Sequence, residues 1–347
     1  MTIPQSMTAI AISTPGGPEV LTPVRMPVPQ PGPGEVLIRV AAAGINAPDV
    51  AQRRGTYDPP PGASPLPGLE VAGEIVAGAG PFRPGDQVVA LTNGGGYAEY
   101  VAVPAGQVLP CPDGWSLLAA AALPETFFTV QQTLAMRAGL SPGMDVLIHG
   151  AAGGIGGAAI QIARVYGARA IAVVSNAEKA AYATSLGAAA VIDHSREDFV
   201  ARTLDLTGGK GAERILDVVG GDYLARNIDA AARGGHIVLV AAVAGGLSQI
   251  SAVKLMRKWL TISGSTLRPQ PAEAKAAIAA SLRQSVWPAL ADGRVVRPRI
   301  RALPLEQAAR GHELMEQREN YGKLVLLTEH GRGLAAGSLP DNSIETI

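Results

Sequence analysis

The sequence predicts an α/β chain in two parts, a compact all-β body and a doubly wound parallel sheet. Three observations carry that prediction. From Met7 to about Pro124, short apolar segments are punctuated by Pro and Gly. From Ala119 to about Leu267, strand-like and helix-like stretches alternate. Within that alternation, 145–157 reads DVLIHGAAGGIGG, and the residues behind it, Ala158 to Arg164, are apolar at helical spacing. Strand, glycine-rich turn and helix form the opening unit of a dinucleotide-binding fold.

The elements follow in order. Ala9–Ile12, Glu35–Val40, Val71–Val76, Gln87–Ala90 and Tyr97–Val101 read as short strands, with 81–86 a turn feeding one of them. Ala119–Leu123 and Phe127–Ala138 read as helix and lead to the strand at Val146. Ala170–Val174 is a buried strand, Ala177–Leu186 a helix and Ala189–Ile192 the next strand. Arg214–Val219 follows, then a helix over Tyr223–Arg233, and strands over His236–Val240 and Leu260–Ser263. Ala272–Leu290 reads as helix and Gly322–Leu327 as a closing strand that returns to the β body. Gly331–Ile347 is expected as a flexible tail.

Composition narrows the function classes. The chain has 347 residues, enough for two domains. With 47% hydrophobic and 17% charged residues it can build large cores. A net charge of +0 without a long basic run argues against nucleic acid or an anionic membrane as partner. Trp115, Trp259 and Trp287 lack the spacing of a base-stacking platform. The single cysteine, Cys111, allows neither an intramolecular disulfide nor a multi-cysteine zinc site. No basic segment precedes an apolar one at the N-terminus and no apolar run spans a bilayer, so a cytoplasmic protein is expected.

The glycine-rich turn carries the chemistry. Its glycines allow a tight turn and a close approach to a pyrophosphate, while the helix behind offers free N–H groups and the positive end of its dipole. The second strand ends in Ser175-Asn176 with Lys179 one helical turn on, where an NAD-binding unit usually carries an acidic residue. Hydroxyl, amide and ammonium suit a phosphate, which favours NADPH over NADH. Glu178 would repel that phosphate unless it turns to solvent.

Several stretches, in collinear order from about Met7 to Thr328, together resemble the zinc-free quinone oxidoreductases of the medium-chain dehydrogenase/reductase superfamily, the zeta-crystallin branch. They are Ala43–Asp49, Pro67–Glu70, Gly85–Val88, Gly150–Gly157, Leu186–Ala188 and Gly322-Lys323. Residues 54–63, RGTYDPPPGA, are similar to the p53-inducible quinone oxidoreductase subgroup. The resemblance implies a GroES-like β-barrel catalytic domain (1–125 and 272–347), a Rossmann domain (126–271) and an NADPH-filled cleft where they meet. It also implies a homodimer formed through an edge strand of the Rossmann sheet. Zinc alcohol dehydrogenases of this superfamily carry Cys where this chain has Asn46 and His where it has Leu69, so no zinc site is expected.

Site residues carry over by position. Asn46 and Thr129 are expected near the nicotinamide and its ribose. Ala152, Gly153, Gly154 and Ile155 are expected at the pyrophosphate. Ser175, Asn176 and Lys179 are expected at the 2′-phosphate, with His194 where the family has Tyr. Ala241, Val243 and Ala244 are expected along the nicotinamide side, with Val219, Ser265, Leu267 and Asn320 completing the cofactor set. Tyr57 is the candidate donor to an acceptor oxygen, Asn46 a candidate to orient substrate, and Asp49 a candidate that reads chiefly as a helix cap. His149, His236 and His312 read as structural. Three activities stay open: quinone reduction, reduction of α,β-unsaturated carbonyls, and NADPH binding without turnover. The Tyr57–Pro61 loop favours quinones.

Overall fold

The chain's longest strand is also the one its apolar pattern marks most strongly. A computed structural model describes residues 2–78, 80–317, 320–336, 341 and 343–347. The chain divides into two units: Met1–Phe128 with Arg268–Trp287 and Arg297–Ile347, and Thr129–Leu267 with Pro288–Val296.

In the first unit β1 (Ser6–Ile12) and β2 (Leu21–Pro27) form a hairpin-like antiparallel pair. Strand β3 (Glu35–Gly44) is buried along its length except at Glu35 and Arg39. Helix α1 (Ala47–Arg53) follows, then β4 (Glu70–Gly78), β5 (Gln87–Leu91), β6 (Tyr100–Pro104) and β7 (Val108–Pro110). Two short helices, α2 (Leu117–Ala120) and α3 (Pro124–Val130), close this part of the chain. Sequence-distant segments complete the sheet, so β3 pairs antiparallel with β4, β6 and Lys323–Leu327. Ile38, Val40, Val71, Val88, Leu324 and Leu326 form its core.

The second unit begins with a π-helical turn, Gln131–Arg137, in which the Ala138 N–H reaches back to the Thr133 carbonyl. The sequence predicts one helix over this stretch. The helix is present, but its last turns are wound wider than α. Six strands follow: β8 (Asp145–His149), β9 (Arg169–Val174), β10 (Ala190–Asp193), β11 (Ala212–Asp217), β12 (Ala231–Leu239) and β13 (Thr261–Gly264). Between them run α4 (Gly154–Val165), α5 (Ala177–Ser185), α6 (Phe199–Leu206), α7 (Tyr223–Ala230) and α8 (Ala252–Lys258). All six strands are parallel, in the order β10-β9-β8-β11-β12-β13. This is the doubly wound order, and the direction of winding reverses between β8 and β11, where such sheets bind ligands. Leu147, Ile171, Ile192, Ile215 and Ile237 supply its core with Phe199.

Four expectations change. The helix expected to Arg233 ends at Ala230, because Ala231 pairs with Ala212 and sheet pairing overrides the helix preference of alanine. The helix expected over Ala272–Leu290 breaks at Val286 into α9 (Ala272–Ser285) and α10 (Trp287–Ala291), where Pro288 cannot donate to the preceding turn. A strand at β14 (Ile300–Pro304) and a helix at α11 (Ala308–Glu316) stand where no element was read. The stretch expected as a tail follows the closing strand β15 (Lys323–Leu327) with α12 (Glu329–Ala336) and β16 (Ile344–Thr346). Strand β16 pairs with β14, and Thr328 Oγ1 ties the start of α12 to the Val40 carbonyl (2.6 Å). The part of that tail at 337–340 and 342 lies outside the described residues. Among the described residues no helix is long and apolar enough to cross a membrane.

Candidate functional site

In the second unit, fourteen of the predicted cofactor contacts fall at one edge of the sheet. Every strand of a parallel sheet ends on the same side, and each of these residues follows a strand end. Ala152, Gly153, Gly154 and Ile155 follow β8; Ser175, Asn176 and Lys179 follow β9; His194 follows β10. Val219 follows β11, Ala241, Val243 and Ala244 follow β12, and Ser265 and Leu267 follow β13. Thr129 lies buried on α3, its carbonyl accepting from Thr133 Oγ1 (2.7 Å).

The glycine turn is built for close backbone approach. Gly150 takes φ +61° at the end of β8. A Cβ at Gly156 would come within 2.4 Å of the Gly150 oxygen, whereas one at Gly153 would meet nothing closer than that oxygen at 3.4 Å. Gly153 caps α4, and it has no side chain to satisfy the first N–H groups of the helix. Beneath this turn, His149 Nε2 lies 2.7 Å from Asn227 Oδ1, and Asn227 Nδ2 donates to Asp217 Oδ2 (2.9 Å). Asp217 Oδ1 in turn accepts from the N–H groups of Val219 (2.7 Å) and Gly220 (2.9 Å). The network ties the ends of β8 and β11 together on either side of the winding reversal. Burial lowers the His149 pKa, so the ring is held neutral.

At the end of β9, Asn176 caps α5 by accepting from the Lys179 N–H (2.9 Å). The Lys179 ammonium donates to Ser175 Oγ (3.1 Å). Glu178 is exposed. His194 is exposed beside this corner, its N–H bonded to the Val174 carbonyl (3.0 Å).

The first unit gathers Asn46 and Asp49 in a buried polar cluster. Asn46 Nδ2 donates to Glu70 Oε1 (2.8 Å), and Asn46 Oδ1 accepts from Lys323 Nζ (2.7 Å). Lys323 also donates to Glu70 Oε1, and the pair is 4% and 0% exposed. Asp49 is fully buried, with Oδ2 on the Asn46 N–H (2.9 Å) and Oδ1 on the Gly68 N–H (2.8 Å). Both oxygens are thus taken by backbone donors. Asp49 caps α1 and anchors the loop at Gly68, as its capping pattern suggests. Burial raises its pKa to about 6 against those donors.

Around this cluster stand charged side chains that the sequence did not single out as functional. Glu125 is 9% exposed, and burial and the neighbouring Glu70 push its carboxyl up to about 8. Arg268, 4% exposed, donates to Gln52 Oε1 (2.8 Å) and to the Asn93 carbonyl (2.9 and 3.1 Å). Lys275, fully buried, donates to Asn93 Oδ1 and to the Arg268 carbonyl (2.6 Å). Tyr57 is half-buried, with the Arg268 guanidinium 5.7 Å from its ring centroid. Asn320 Oδ1 is buried without a hydrogen-bond partner among the described residues. In sequence, Glu125, Arg268 and Lys275 look like ordinary surface charges on helices and loops. Glu70 and Lys323 were legible only as parts of Pro67–Glu70 and Gly322-Lys323.

Comparison with known proteins places this geometry. Residues 32–113 match the family described as "Alcohol dehydrogenase GroES-like domain", and residues 154–283 match "Zinc-binding dehydrogenase". The quinone oxidoreductase of Sus scrofa is 33% identical over 334 residues, covering 92% of this chain and 98% of its own. The Escherichia coli quinone oxidoreductase complexed with NADPH matches with a TM-score of 0.80 at 31% identity, over 92% of this chain and 99% of that one. A NAD-dependent alcohol dehydrogenase matches with a TM-score of 0.80 at 34% identity, over 92% and 99% of the two chains.

The zinc in the second family description does not fit the residues found here. Asn46 offers an amide and Leu69 an alkyl group, and the Lys323 ammonium already lies on Glu70. A fixed positive charge repels a divalent cation, and catalytic zinc needs about three protein ligands. Among the described residues no three His, Cys, Asp or Glu side chains cluster to hold a metal. The fold, its two family segments and its close relatives agree: the chain belongs to the quinone oxidoreductases of the medium-chain dehydrogenase/reductase superfamily.

Proposed function

We propose that this chain is an NADPH-dependent quinone oxidoreductase that works without zinc. The observation that carries the cofactor is the corner after β9, where Lys179 donates to Ser175 and Asn176 caps the helix. The residues at the end of β9 are Ser175 and Asn176 rather than an acid, Glu178 is exposed, and a cation with a hydroxyl beside it matches a 2′-phosphate. The helix start at Gly153–Ile155 presents its N–H groups and dipole to the pyrophosphate. Val219, Ala241, Val243 and Ala244, with Ser265 and Leu267, line the nicotinamide portion. When bound, NADPH supplies the hydride.

The protein's own part is to position and to stabilise charge. The Tyr57 phenol, with Arg268 behind it, faces charge that develops on the acceptor oxygen. Asn46, held between Glu70 and Lys323, keeps one orientation of its amide. Asn320 brings a buried oxygen with no donor among the described residues, which suits a cofactor amide. The protein is proposed to act in the cytoplasm as a homodimer. The edge strand β13 and the exposed apolar side chains of Ile250, Val253, Met256 and Trp259 support that pairing.

Steady-state oxidation of NADPH and of NADH by chelator-treated protein tests the reading, each with a naphthoquinone and with a simple enone. Rapid NADPH oxidation with the quinone is expected. Turnover of the enone alone moves the assignment to double-bond reduction, and tight NADPH binding without turnover moves it to a binding protein.

A further inference from the structure

Glu125 stands in the second position of α3 with its side chain nine-tenths buried. Its backbone N–H donates to Glu70 Oε2 (2.9 Å). Its own carboxyl makes no hydrogen bond and no ion pair among the described residues. An unpaired carboxylate at such depth is costly, so the surroundings decide which form it takes.

Those surroundings come from four elements and two loops. Glu70 faces it from β4, Asp49 from α1, Lys323 from β15 and Lys275 from α9. Arg268 and Tyr57 complete the ring of charges that act on it. The Glu70 carboxyl accepts from Lys323 Nζ, Asn46 Nδ2 and the Glu125 N–H. The cations are engaged elsewhere: Lys323 on Glu70 and Asn46, Lys275 on Asn93 and the Arg268 carbonyl, Arg268 on Gln52 and Asn93. Glu125 is left beside the Glu70 carboxyl with no counter-ion in contact among the described residues. The neutral acid is the form that fits.

We propose that Glu125 is the proton donor of the reaction, releasing its carboxyl proton to the oxygen of the reduced acceptor. This rests on the quinone reading above. Hydride transfer carries an electron pair to the acceptor and leaves negative charge on its oxygen. The O–H bond of Glu125 breaks as an O–H bond forms on that oxygen, and the carboxylate then recovers a proton from water. The sum is acceptor, NADPH and one proton giving reduced acceptor and NADP+. Tyr57 and Arg268 stabilise the oxygen until the proton arrives, and each senses the charge of Glu125.

Two measurements on wild type and Glu125→Gln test it. The first needs no cofactor. Infrared difference spectra of the protein alone should show a protonated carboxyl band at neutral pH, fading as pH rises through about 8 and missing from the variant. The second is kinetic. The wild-type quinone rate should fall above that pH and carry a solvent isotope effect. The variant should bind NADPH normally yet lose about a hundredfold in kcat, with a flat pH profile. Absence of the band overturns the proposal, as does a variant that keeps the wild-type rate and profile. Wild-type protein that oxidises no NADPH with any quinone overturns the functional reading and the proposal with it.

Discussion

Lys323 and Glu70, 253 residues apart in the chain, meet as a buried ion pair whose third member is the Asn46 amide. The pair welds the closing strand β15 to β4 across β3 and fixes the amide that the reaction would use. Lys323→Met should leave Glu70 charged and unpaired, at a cost of about 3–5 kcal/mol in urea unfolding. Lys323→Met with Glu70→Gln should recover much of that stability, because the stranded charge is gone. Equal loss in both variants would show that the ammonium contributes by packing and not by charge.

The glycine turn separates folding from binding. Gly156→Ala forces a Cβ against the Gly150 oxygen and should cost about 1–3 kcal/mol of stability. Gly153→Ala meets only an ordinary contact, so its thermal midpoint should stay within a degree or two while NADPH affinity falls, since the methyl stands where the pyrophosphate approaches. Fluorescence titration with NADPH beside calorimetry distinguishes the two.

Lys179→Ala should raise the KM for NADPH roughly tenfold or more and leave that for NADH unchanged, the size of one charge-assisted hydrogen bond. A parallel loss with both cofactors would place Lys179 in α5 stability and not at a phosphate.

Stability should respond to pH through Glu125. Its folded pKa lies at about 8 against an ordinary 4.5, so the folded state holds the proton more tightly than the unfolded one. Stability on this account is greatest below the ordinary value and declines as pH rises toward 8. Glu125→Gln, which is always neutral, should lose that decline and become more resistant to urea than wild type at pH 9, by on the order of a few kcal/mol. Unfolding curves at pH 5, 7 and 9 measure it.

The periodicity of the chain determined much on its own. Alternation of strand and helix after Ala119, with the glycine turn at 150–157, specified a doubly wound sheet. Once all six strands run parallel, the residues after each strand must share an edge, and the cofactor contacts expected from the family resemblance fall there. The Asp49 cap on the Asn46 N–H and the Ser175–Lys179 corner were legible because each depends on neighbours within a few residues.

Tertiary structure decided the rest. Ala231 leaves its helix because Ala212 offers it a strand partner, and residues 344–346 are a strand because β14 has an open edge. Neither partner is near in sequence. Glu125, Arg268 and Lys275 carry no local mark, since a buried charge looks like a surface charge until the fold withdraws water and sets other charges beside it. The proton on Glu125 is the clearest case. It depends on burial and on Glu70 and Asp49, which outweigh the opposing pull of Lys323 and Lys275, side chains that only the folded chain brings around one carboxyl.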